Sequence, residues 1–217
     1  MAAPASSGRP ELAGLVDAAR DELGAANGAR EAGLAACRRV IRGAGSAIRA
    51  VHRRRPEQVA GHLAEAEAAL RGAQEAVRPF PRVAYAGFLH DAEKEYAEAV
   101  LTAALVEGAP LPSHVALRVE APAWLNGLAE AASELRRHLL DRLREGQISV
   151  AEDLLGAMED AYEALVGVDY PDAVTAGLRR SADALRAVLE RTRSDLTTTL
   201  LQVRLQAALE RRASEEG

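Results

Sequence analysis

Residues 83–107 read VAYAGFLHDAEKEYAEAVLTAALVE, a proline-free stretch lying between Pro81 and Pro110. Proline inside a helix removes a hydrogen bond and clashes with the preceding turn, so a long run without it, filled with Ala, Leu and Glu, predicts a helix. At about 100° per residue, Leu89, Ala92, Tyr96, Ala99, Val100 and Ala103 gather on one arc. Glu95 falls at the border of that arc, and Glu98 lies about 60° further round on the same side. Residues three apart are neighbours on a helix surface, so these two carboxylates can turn to one spot. Glu93 projects beside Val100 and is expected on an ordinary surface. Two carboxylates held together repel unless one is protonated or a cation bridges them. The pair therefore reads in two ways: the wet face of a Glu-rich helix, or the seat of a hard dication such as Mg²⁺ or Mn²⁺, which takes oxygen ligands.

The same reasoning extends along the chain. Prolines at 4, 10, 56, 79, 81, 110, 112, 122 and 171 separate stretches rich in Ala, Leu, Glu and Arg. They predict helices over 10–54, 57–78, 83–107, 122–145, 148–167 and 172–213. No alternating β-branched run suggests a strand, so the expected fold class is all-α. The first and last helices are long enough to be expected to bend or break, the first near GAANG (24–28) or GAGS (43–46). EGAPLPSHVALRVEAP (107–122) is expected to form the one substantial loop. Residues 1–8 are expected to be disordered, with 9–217 forming one helical domain.

The chain's 217 residues suffice for one domain with a real core. Aromatics supply only 3%, so that core must be built mostly of Leu, Ala and Val. No apolar run reaches the length of a membrane span, and MAAPASSGRPEL lacks the pattern of a secretion signal. The single cysteine, Cys37, excludes an intramolecular disulfide and fits a reducing cytoplasm. Its apolar neighbours suggest a buried spectator thiol. The formal net charge of −5 argues against a globally basic nucleic-acid binder, but not against a local basic surface.

Such a surface is visible on the first helix. Arg38, Arg39, Arg49 and Arg53 project within about 60° of Arg42, while Cys37, Val40, Ile41, Ala44, Ile48 and Val51 take the other side. The stripe, continued by HRRR at 52–55, is either a solvated face or a track for phosphates, whose oxygens guanidinium groups bind bidentately. A second acidic pair, Glu130 and Glu134, lies one turn apart in WLNGLAEAASELRRHLL (124–140), away from Leu125, Leu128, Ala132, Leu135 and Leu139. Arg136 projects into that apolar arc and must find a partner or reach water. There is no phosphate loop of the GxxxxGK[ST] kind, no HExxH or Cys/His zinc spacing and no GxSxG elbow. The five histidines are scattered; each is expected to be structural or solvent-facing, and His90 lies one turn before the first acidic pair.

Taken together, four stretches resemble the translin and translin-associated factor X family, most closely its shorter archaeal and bacterial members. RRVIRGAGSAIRAVHR (38–53) is similar to the basic first-helix motif. KEYAEAV (94–100) is similar to the EYxEA motif of the factor X branch. WLNGLAEAASELRR (124–137) is similar to the LxGxxDxxGEL(x)R helix of both branches. GLRRSADALRAVLERTRSDLT (177–197) is similar to the long C-terminal helix. The resemblance runs from about residue 20 to 205.

That resemblance implies an all-α, right-handed curved bundle of about seven helices, assembled into a closed, RNA-enclosing oligomer, typically an octamer. It implies a metal-dependent endoribonuclease acting on single-stranded RNA, with Glu95, Glu98, Glu130 and Glu134 gathering Mg²⁺ or Mn²⁺. Glu130 stands where the family usually has Asp, which lengthens one ligand by a methylene. One glutamate, Glu98 in preference to Glu95, would take a proton from water, and Arg38, Arg39, Arg42, Arg49 and Arg53 would hold backbone phosphates. The alternative is a non-catalytic RNA- or single-stranded-DNA-binding scaffold of the translin branch, which lacks the carboxylates. A plain helical interaction module, with every motif a solvated face, is the third reading.

Overall fold

A computed structural model describes residues 10–215 of the chain. The expected disordered segment 1–8 lies outside them. Among the described residues there are nine helices and no strand. Six are long: α1 (Pro10–His52), α2 (Pro56–Val77), α4 (Phe88–Glu107), α6 (Ala121–Arg144), α7 (Ile148–Val166) and α9 (Leu178–Glu215). Three are single turns between them: α3 (Pro81–Ala84), α5 (His114–Leu117) and α8 (Asp172–Thr175). No described helix is long and apolar enough to cross a membrane.

The boundaries differ from the sequence expectation where glycine acts. The stretch expected as 83–107 is broken at Gly87, whose φ of +96° leaves Phe88 to begin α4. The last helix, expected to bend or break, is interrupted at Ala176 and Gly177, with φ of +52° and +83°. The expected breaks in α1 do not occur, and it runs unbroken for 43 residues. Gly43 of the GAGS stretch instead serves close packing: a Cβ there would lie 3.0 Å from Ala66 Cβ. The expected loop contains α5, whose N-cap Ser113 accepts a hydrogen bond from the Ala116 N–H.

α4 is the central helix, packed against α1, α2, α6 and α7. Its buried residues therefore run round the helix rather than along one arc: Ala92, Tyr96, Ala97, Ala99 and Leu101 all lie in the interior. This overturns the placement of Glu93 on an ordinary surface. Glu93 is 3% exposed, accepting from Gln74 Nε2 at 2.7 Å and from the Glu120 N–H at 3.1 Å. Burial raises its pKa, with those hydrogen bonds opposing. Beside it, Arg71 donates to the Leu117 carbonyl at 2.6 Å, so α2 and α4 together fasten the segment leading into α6. A second cluster packs α6, α7 and α9 together through Leu135, Leu139, Leu154, Met158 and Leu189.

Two smaller expectations hold. Arg136 finds its partners on α9, Asp195 at 2.7 Å and Thr192 at 3.1 Å. Cys37 is buried, and burial pushes its thiol up to about 11.

Candidate metal centre and basic face

The acidic site is built where α6 crosses α4. Gly127 makes that crossing close: a Cβ there would lie 2.9 Å from the Lys94 carbonyl oxygen and 3.0 Å from the Glu98 nitrogen. One turn beyond this contact, Glu130 faces the glutamates of α4. Glu95, Glu98 and Glu130 each place an oxygen within 4.8 Å of the others. The two sequence-distant motifs thus meet at one place.

Glu98 is the deepest of the three, 9% exposed. Among the described residues no N–H or hydroxyl group donates to it; it faces carboxylates. Burial first, then the negative charges of Glu130, Glu95 and Glu134, push its pKa up to about 8. Glu130 is better supplied: the Lys94 ammonium donates to its two oxygens at 2.7 and 2.6 Å. The same Nζ lies 3.4 Å from Glu95 Oε1. Burial works against the charge on Lys94, but Glu130 and Glu95 outweigh it and raise its pKa.

Glu134 does not join the group of three. Its Oε2 is held at 2.7 Å by His52 Nε2, at the end of α1. That hydrogen bond lowers the Glu134 pKa against the opposing effect of burial. An ionised Glu134 accepts, so Nε2 donates, and Nδ1 stays buried without a partner. Glu134 remains close enough to add to the negative field at Glu98.

The arginines contrast with this. Arg38, Arg39, Arg42, Arg49 and Arg53 are all exposed. Arg49 donates to Ser46 Oγ at 2.8 Å, and none of the five has an acidic partner among the described residues. Arg39, Arg42, Ser46 and His62 line an open groove of about 640 Å³ between α1 and α2. A larger cavity, about 790 Å³ between α7, α8 and α9, contains none of the four glutamates.

Three residues at the acidic site were not singled out by the sequence. His52 continues the basic stripe in sequence, but its projection, about 80° from Arg42, puts it at the stripe's edge. Lys94 is an ordinary lysine until α6 is in place. Gly127 carried a signal, a glycine inside a strong helix pattern, which marks a close approach.

An all-α chain whose fourth and sixth helices join an acidic seam, beside a first helix bearing a cationic stripe, defines a translin-type helical protein. The comparisons with known proteins agree. The fold matches AfC3PO with a TM-score of 0.80 and 31% identity, covering 86% of this chain and 97% of that one; one of its two structures is a complex with duplex RNA. The apo-NeC3PO structure matches in fold, with a TM-score of 0.77 and 19% identity over 89% of this chain and 100% of that one. An uncharacterized protein of Methanocaldococcus jannaschii is 30% identical over 128 residues, 58% of this chain. The match spans only 57% of that relative's length. No protein-family model matches. The chain belongs to the translin family.

Proposed function

We propose that the protein is a divalent-metal-dependent endoribonuclease that cleaves single-stranded RNA inside a closed homo-oligomer, octameric as the family resemblance implies. One observation carries this reading: oxygens of Glu95, Glu98 and Glu130, drawn from two helices, converge within 4.8 Å. An acid cluster facing bound RNA would cost affinity, so its presence favours catalysis over a passive scaffold.

The residues fit a hard dication. All three offer carboxylate oxygen, the donor that Mg²⁺ and Mn²⁺ prefer. Glu98 is buried without a donor, and the Lys94 ammonium at Glu130 marks the place as one that takes positive charge. Glu95, Glu98 and Glu130 would hold the ion; Glu134, tied to His52, would act from the next turn. Bound there, the ion would acidify water and offset charge on the scissile phosphate. The chain's own residues do the rest. A carboxylate of the cluster, Glu98 by preference, would accept the proton of the attacking water as the new phosphorus–oxygen bond forms and the bond to the leaving ribose oxygen breaks, that oxygen taking its proton from solvent. Arg38, Arg39, Arg42, Arg49 and Arg53 hold backbone phosphates, with little choice of sequence. The exposed row Leu201, Leu205 and Leu209 on α9, and Leu12, Leu15 and Val16 on α1, provide apolar surface for other copies to cover.

The test incubates purified protein with labelled single-stranded and duplex RNA, in Mg²⁺, Mn²⁺ or EDTA. The expected result is internal cleavage of the single strand with either metal and none in EDTA. Cleavage that persists in EDTA removes the metal role. Binding without cleavage in all three leaves the scaffold reading, and no binding ends the nucleic-acid assignment.

A further inference from the structure

The acidic seam already contains a cation, and its position bears on how many metal ions the site accepts. Lys94 Nζ donates to Glu130 Oε1 at 2.7 Å and Oε2 at 2.6 Å, and sits 3.4 Å from Glu95 Oε1. It is a side chain of α4 itself, only 20% exposed, and the residue next to it is Glu95. Its ammonium therefore stands between two of the three converging carboxylates, where a bridging ion would stand.

A charge count follows. Three ionised carboxylates carry three negative charges, and Lys94 cancels one of them. The two that remain are what one dication neutralises. Glu134 keeps its own negative charge and adds to the field at Glu98, but its Oε2 is held by His52 at 2.7 Å and it stands outside the three oxygens that converge, so the count is of those three alone. Glu98, to which no N–H donates among the described residues, and Glu95, which Lys94 Nζ approaches only at 3.4 Å, are one turn apart on α4 and have more lone pairs left open than Glu130. A second dication would have to share Glu130 with the ammonium at close range, where like charges repel.

We propose that Lys94 takes the place of a second dication, so that each subunit binds one metal ion, on the Glu95–Glu98 side of the seam. This rests on the metal-site reading above and specifies its stoichiometry. Lys94 is a positioning residue in this arrangement: it fixes the Glu130 carboxylate and keeps the site to a single ion.

Isothermal titration of the full chain with Mn²⁺, checked by counting bound Mn²⁺ after equilibrium dialysis, tests it without RNA or turnover. The wild type is expected to take one ion per chain. Lys94→Met and Lys94→Gln, which are unbranched at Cβ, one atom shorter than lysine and uncharged, are expected to take two, and Lys94→Arg one. Two ions on the wild type, or one on both uncharged variants, overturns the proposal while leaving the metal site in place. No binding by the wild type or any variant ends both readings. Melting curves of each variant confirm that the chain is folded before the count is made, and the Met and Gln forms check one another.

Discussion

The two charged regions of this molecule are assembled in opposite ways. The arginines of α1 lie on one helix, so the period of that helix alone aligns them. They point to solvent and pair with no acid among the described residues. The glutamates come from α4 and α6, over thirty positions apart, and only tertiary packing brings them to within 4.8 Å. One region is an open, exposed row of positive charge; the other is a small, half-buried cluster of negative charge.

The sharpest way to break this contrast is to remove the acids while leaving the track intact. Glu95→Ala and Glu98→Ala are each expected to slow RNA cleavage by about 100-fold or more. Gel-shift affinity for RNA and the oligomer seen by light scattering should stay as in the wild type. Unchanged cleavage in either variant removes that residue from the site. Next in size is the packing that brings the cluster together. In Gly127→Ala the new methyl meets backbone atoms of Lys94 and Glu98, which cannot turn aside as a side chain can. Overpacking of this kind costs about 1–3 kcal/mol, and the displaced α6 should weaken Mn²⁺ binding about 10-fold. Gly72→Ala and Gly156→Ala, where a Cβ meets nothing within 4 Å, are the controls. Each should be neutral or slightly stabilising. Equal behaviour of all three would mean that the close crossing does not build the site.

This same division decides what could be read from the sequence. The arginine stripe needed only the helical period, and every one of its five members is where the period put it. Proline spacing located the long helices, because proline acts locally on the chain, except at the junction of α6 and α7, which has no proline and where Gly146 takes a φ of +75°. The one-turn helices and the break at Gly87 are not legible, and the break expected in the last helix has no position in the sequence pattern, since a positive φ leaves no periodic trace; it falls at Gly177. The burial of Glu93 is not legible from a single apolar arc, because α4 is surrounded by four helices. The meeting of Glu95 and Glu98 with Glu130 was legible only through the family resemblance. Nothing in either helix alone says which turns will face each other. The pairing of His52 with Glu134 spans 82 positions and had no local signal beyond a histidine at the edge of the stripe.

The basic track gives a smaller and graded effect. Each arginine that contacts a phosphate contributes about 0.7 to the slope of log affinity against log salt for a single strand. Arg42→Gln and Arg49→Gln should each weaken RNA binding by about 3- to 10-fold near physiological salt and flatten that slope by about 0.7. The loss should be similar for RNAs of unrelated sequence. A variant that loses affinity with the slope unchanged would place that arginine off the phosphate path. Arg54, already bonded to Glu145 at 2.6 Å, should have less effect than either.

The smallest effect is the most specific to the buried acid. Burial and its carboxylate neighbours push the Glu98 pKa up to about 8, against 4.5 for a free glutamate. Between these values the folded, metal-free protein keeps a proton that the unfolded chain has released. Stability from this group therefore falls as pH rises through that window, and is level below and above it. Glu98→Gln cannot ionise, so its melting temperature should decline less between about pH 5 and pH 8, and at pH 8 should exceed that of the wild type by at least ~2 °C. Saturating Mn²⁺ should reverse the order, since a bound dication stabilises the ionised carboxylates and has fewer of them in the variant. The crossing of the two curves on adding metal is the feature that distinguishes a cation site from a merely strained acid. If the metal-free curves run parallel across the window, Glu98 is not the carboxylate whose charge the fold resists, and the centre of the seam must be sought at Glu130 instead.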